Sequence, residues 1–117
     1  MYPVPRQLDR DDFPRRDAPW LVALFSSSAC DSCRSLPAKL AVLDSNDVVT
    51  CDITAEARGD LHRRYAIAAV PTTVVADADG VVCRAFVGSF TATDLWAALA
   101  ELRVPGSTPE PLLGELD

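Results

Sequence analysis

The chain has no apolar run approaching the ~18 residues that a membrane span needs, no surplus of positive charge, one histidine and no internal repeat. Each absence excludes something. Without a long apolar run there is no transmembrane helix, and the opening stretch MYPVPRQLDRDD has no apolar signal core, so the expectation is a cytoplasmic protein. Eleven Lys and Arg against seventeen Asp and Glu give a formal net charge of −6, which repels polyanions and argues against nucleic acid or an anionic membrane surface as the main partner. His62 stands between Leu61 and Arg63 with no partner in sequence that suggests Cys–His catalysis, and it reads as solvent-facing. A zinc centre needs four ligands brought together, so no metal and no cofactor are expected.

What is present is a chain of one-domain length, 117 residues with 49% apolar side chains, large enough to bury a core. It is arranged around LVALFSSSACDSCRSLPAKL, residues 21–40. An apolar run of strand length is followed by a small polar turn, by Cys30 and Cys33 with two residues between them, and then by a helical pattern. Strand, loop, Cys-x-x-Cys and helix explain one another: the strand anchors the loop, and the loop delivers Cys30 to a helix start. Free backbone N–H groups there favour a thiolate. A cytosolic Cys-x-x-Cys is redox or metal chemistry before it is a structural staple.

The remaining pattern surrounds that stretch. Residues 1–19 are rich in proline and charge, with room for a short edge strand over 4–8; Asp9, Asp11 and Asp12 read as a solvated segment. Residues 20–25 form a strand buried on both faces. A helix is expected over 30–43 with a stripe of Leu36, Leu40 and Leu43, which Pro37 kinks or cuts after its first turn. A strand over 48–53, a helix over 56–65, a strand over 72–76, an Asp79-Gly80 hairpin turn and a returning strand over 81–87 follow. A last helix covers 91–102, capped by Thr91 with Asp94 three residues on. Trp20 and Trp96 read as packing residues, and Cys51 and Cys83, each in apolar strand sequence, as buried thiols. Residues 104–117 read as a flexible tail behind a domain of residues 1–103.

Three features carry a resemblance to the thioredoxin superfamily over about residues 4–103: Cys30-Asp31-Ser32-Cys33 after a buried strand, Val70-Pro71-Thr72 before another, and Val87-Gly88 after the hairpin. The resemblance implies an α/β thioredoxin-like fold, a mixed central sheet with helices on both faces. It implies a cis Val70–Pro71 bond facing the cysteines, where backbone at Val70 and Pro71 pairs with substrate, and it sets Cys51 and Cys83 on strands too far apart to meet. It implies a thiol–disulfide oxidoreductase acting on protein disulfides, with a thioredoxin-reductase-like donor and a monomeric state. Thioredoxins proper carry Trp-Cys-Gly-Pro-Cys where this chain has Ala29, Cys30, Asp31, Ser32 and Cys33. They keep an acid six residues before the first cysteine, where this chain has Leu24.

If the pair turns over, Cys30 attacks and Cys33 resolves the mixed disulfide. Asp31, Ser32 and Arg34 modulate it. A unit charge ~6 Å from the thiolate costs roughly 0.7 kcal/mol at water's dielectric. The helix start returns ~0.3–1 kcal/mol, and Arg34 adds to it. These contributions nearly cancel and predict a reductant or modest exchanger rather than a strong oxidant. The rival readings are a binding module that keeps the fold without turnover and a thiol redox sensor.

Overall fold

Alternation along one strand decides how the molecule is layered. In the computed structural model, which describes residues 3–106, β1 covers Trp20–Ser26 and every residue after Trp20 is buried. Leu21, Ala23 and Phe25 point to one face of the sheet and Val22 and Leu24 to the other, each set in its own apolar cluster. A strand buried on both sides must be central. It pairs in parallel with β2 (Val48–Thr54) and antiparallel with β3 (Thr72–Ala76), which pairs antiparallel with β4 (Val82–Val87). The order is β2-β1-β3-β4, a mixed sheet with helices on its two faces, as expected. Cys51 and Cys83 lie on the two outer strands and do not meet.

On the first face, Phe25, Val49, Ile53 and Val74 pack against Leu61 of α2 (Gly59–Arg64) and against Leu8, Phe13 and Ala18. On the second, Val22, Leu24, Val48 and Val75 pack against Leu36 and Leu40 of α1 (Leu36–Ala41) and Leu95 and Leu99 of α3 (Ala92–Arg103). The α3 cap is as expected: Thr91 Oγ1 accepts from the Asp94 N–H at 3.0 Å.

Several expectations are corrected. The helix over 30–43 is two pieces, a 3₁₀ turn over Asp31–Cys33 and then α1, with Pro37 inside α1's first turn, where its missing N–H leaves no bond unmade. The helix over 56–65 is shorter, Gly59–Arg64. The edge strand over 4–8 is a single bridge between Gln7 and Val81. Pro3 and Pro5 lack the donors a ladder needs, and the segment instead crosses the hairpin turn, with the Leu8 N–H on Gly80 O at 2.8 Å and the Val82 N–H on Arg6 O at 3.0 Å. Asp9, Asp11 and Asp12 are not merely solvated: Arg64 pairs with Asp9 and Asp12 at 3.4 and 3.2 Å, Arg16 pairs with Asp11, and the Tyr65 hydroxyl donates to Asp12. Between them Arg10 is 4% exposed, its guanidinium donating to the carbonyls of Asp77 and Arg15.

His62 does not face solvent: its Nε2–H donates to Ile53 O at 2.8 Å and its ring stands edge-on to Phe25. Trp20 packs on the second core, but Trp96 is 56% exposed. Cys51 and Cys83 are half-buried rather than buried. The tail over 104–117 lies outside the described residues from 107 onward.

Candidate active site

The cysteine loop leaves the C-terminal end of β1 and is tied to the end of β2. The Ala55 N–H donates to Ser26 O at 2.9 Å, and Glu56 accepts from the Ser27 hydroxyl at 2.9 Å and the Ser28 N–H at 3.0 Å. These bonds hold the Glu56 carboxyl well below the usual carboxylate range, at about 2. Within the loop the Cys30 N–H donates to Ser27 O at 3.1 Å, and the Cys33 N–H closes the 3₁₀ turn onto Cys30 O at 3.1 Å. Cys30 and Cys33 are joined in a disulfide with Cα atoms 5.4 Å apart.

The two sulfurs are not equivalent. Cys30 is partly exposed, whereas Cys33 is 4% exposed. Ser32 Oγ lies 3.3 Å from Cys30 Sγ. Asp31 and Arg34 form an ion pair at 3.4 Å, with the Asp31 side chain 93% exposed. At that exposure Asp31 acts through water, and the Coulomb figure of roughly 0.7 kcal/mol applies. A three-residue 3₁₀ turn in place of a helix start also weakens the dipole expected to oppose it.

The Val70–Pro71 bond is cis. Pro71 is buried at the entry to β3, whose first residue, Thr72, is the register partner of Phe25 at the end of β1. Both the cysteine loop and Pro71 therefore sit at one end of the sheet. Val70 is 37% exposed. The Gly88 N–H donates to Pro71 O at 2.8 Å, tying the end of the hairpin to this loop.

A cavity of about 160 Å³ beside the disulfide is lined by Ser26, Cys30, Cys33, Arg34, Asp52 and Thr54, among others. Sequence reasoning brought Cys30, Cys33 and Arg34 together but missed Ser26, Asp52 and Glu56. Asp52 comes opposite Leu24 through the parallel register of β1 and β2, a pairing without a local sequence signal. Glu56 gave no such signal, because only the closed loop creates its partners. Among the described residues no group of three or more His, Cys, Asp or Glu side chains is placed to hold a metal, and none of the helices is long and apolar enough to cross a membrane.

A family profile described as a thioredoxin-like domain matches residues 7–103. The chain belongs to that family. Solved structures agree on the thioredoxin-like fold. The germline-specific thioredoxin protein Deadhead of Drosophila melanogaster is 20% identical with a TM-score of 0.66, over 86% of this chain and 99% of that one. A mutant thioredoxin of Halobacterium salinarum is 26% identical with a TM-score of 0.63, over 74% and 76%. StoA of Bacillus subtilis is 17% identical with a TM-score of 0.60, over 82% and 94%. No curated protein matches the chain. With a Cys-x-x-Cys disulfide at the end of the central strand of this thioredoxin-like domain, the protein has a redox-active centre and is a dithiol–disulfide oxidoreductase. Proteins of this fold act generally on protein disulfides.

Proposed function

We propose that the chain reduces disulfides in a restricted set of protein partners, with Cys30 as nucleophile and Cys33 as the resolving thiol. The observation that carries this is the inequality of the two sulfurs: only Cys30 is open to a partner, and Cys33 is 4% exposed. In the reduced protein the Cys30 thiolate attacks a partner disulfide and expels one partner thiolate. Cys33 then attacks Cys30, expels the second, and leaves the internal disulfide.

Ser32 hydrogen-bonds the Cys30 thiolate and Arg34 offsets Asp31, readings supported by the 3.3 Å separation of Ser32 Oγ from Cys30 Sγ and by the Asp31–Arg34 ion pair. Backbone at Val70 and Pro71 receives the partner chain. The catalytic unit is residues 1–103, a cytoplasmic monomer regenerated by a dithiol donor of the thioredoxin-reductase kind, with no bound cofactor. Nucleic acid is not a partner of a chain with net charge −6.

The test is trapping. Cys33→Ser accumulates mixed disulfides with proteins of a cell extract, Cys30→Ser traps none, and both stay folded because only reactivity is removed. A Cys33→Ser protein that captures nothing, together with a wild type that reduces no model disulfide, assigns the fold to binding or sensing instead.

A further inference from the structure

Resolution asks more of the protein than attack does. Reduced Cys33 carries a proton in a residue 4% exposed, and it must lose that proton inside the fold, where burial disfavours an unassisted thiolate. The strand beneath offers no acid, since Leu24 is fully buried in the apolar cluster with Leu36 and Leu40. A carboxylate does line the cavity that both sulfurs share, and it comes from the neighbouring strand. Asp52 is the register partner of Leu24 on β2, so the two side chains share a face. Ser26 is the next residue of β1 on that face, buried, and its hydroxyl donates to Asp52 Oδ1 at 2.5 Å. Ser26, Asp52, Cys30 and Cys33 all line the one cavity.

We propose that Ser26 and Asp52 form the proton-transfer pair for Cys33, with the acceptor carried on β2. The proposal rests on the exchange reading above and deepens it. The Cys33 S–H proton passes to the Ser26 oxygen as the Ser26 O–H proton passes to Asp52. The Cys33 thiolate forms a bond to Cys30 Sγ, the Cys30–partner bond breaks, and the partner leaves as a thiolate that takes its proton from solvent. The two cysteines are oxidised to the disulfide and the partner disulfide is reduced to two thiols. Asp52, an exposed residue, returns the proton to water.

The other charged groups of this region are already engaged. Arg34 pairs with Asp31, Glu56 with Ser27 and Ser28, and Lys39 of α1 with the Phe90 carbonyl at 3.0 Å. The register partner of Leu24 on β3 is the uncharged Thr73, and α3 gives this face Leu95 and Leu99. Cys51 points to the opposite face of β2.

A single-turnover titration separates the steps. Reduced protein in a Cys83→Ser background reacts with an aromatic disulfide of the dithiobis(nitrobenzoate) type, which releases one coloured thiolate when Cys30 attacks and a second when Cys33 resolves the adduct. Asp52→Asn and Ser26→Ala leave the first phase unchanged. They slow the second roughly 10- to 100-fold near pH 7, at or below the low end of general-base contributions because a thiol ionises a few per cent unaided. The wild-type second phase is nearly flat over about pH 6 to 8, whereas in both variants it rises about tenfold per pH unit, as hydroxide-dependent ionisation requires. Asp52→Glu restores the flat profile. A second phase of unchanged rate and pH dependence in both variants overturns the assignment, as does a slowed Asp52→Asn that keeps the wild-type pH profile, the mark of a structural tie alone. A wild type without the first phase overturns the exchange reading, and this assignment with it.

Discussion

Two cysteines outside the redox pair show how surroundings divide one chemistry. Burial, reinforced by Asp52, pushes the Cys51 thiol up to about 12 despite the opposing Arg10, while Cys83, on the edge strand, is raised mainly by its more modest burial. In the reduced native protein, mass-spectrometric alkylation kinetics at neutral pH should give Cys30 first, Cys83 next and Cys51 last; Cys51 reacting as fast as Cys83 would contradict that ordering. Glu56 is the second residue whose setting matters. Its folded pKa of about 2 lies below the ordinary glutamate value of 4.5 because the bonds from Ser28 and Ser27 favour the charged form. A depressed pKa contributes stability above the unfolded pKa and loses it as pH falls through the folded one. Glu56→Gln should therefore be less stable than wild type at neutral pH, with the gap closing between about pH 4.5 and 2 in denaturant titrations at stepped pH. A gap that stays constant across that window would place the effect elsewhere.

Among the elements, the hairpin turn holds the most with the fewest residues. Gly80 has φ +84°, a conformation costly for a side chain, and a Cβ there would lie 2.0 Å from the Leu8 carbonyl oxygen. That carbonyl belongs to the segment that crosses the turn and places Leu8 and Phe13 in the core. Gly80→Ala should destabilise the protein by about 2 kcal/mol or more, combining backbone strain with displacement of the segment. Urea unfolding measures it, and a loss under about 0.5 kcal/mol would mean the segment contributes little. The redox element shows the opposite economy. The expected helix breaks ahead of Pro37, between Cys33 and Leu36, yet Leu36 and Leu40 still reach the second core, so anchoring survives while the long dipole does not.

For the molecule as a whole, the measurable quantity is the poise of the pair. Asp31 acts through solvent and is matched by Arg34, and a short 3₁₀ turn lends the thiolate little support. Nothing among these makes Cys30 a strongly acidic thiol, so a glutathione redox titration should place the pair at roughly −220 to −320 mV. A value near the ~−120 mV of a strong oxidant would reverse the sign of that charge accounting.

The frame is legible along the chain. Apolar runs, turn residues and the cysteine spacing are local signals, and they located β1, β3, the Thr91-capped α3 and the redox pair, while the cis Val70–Pro71 bond was implied by the resemblance to the thioredoxin superfamily. His62, Asp9 and Asp12 are not simply solvated, because the Ile53 carbonyl and the Arg64 and Tyr65 side chains that hold them are separated along the chain and meet only after closure. The depth of Cys33, the clamp of Glu56 and the placing of Asp52 beside Leu24 arise from chain closure. The last has a plain physical cause: a polar residue in a strand says nothing of its neighbour until the parallel register of β1 and β2 is set, and one residue of slip would turn Asp52 to the other face.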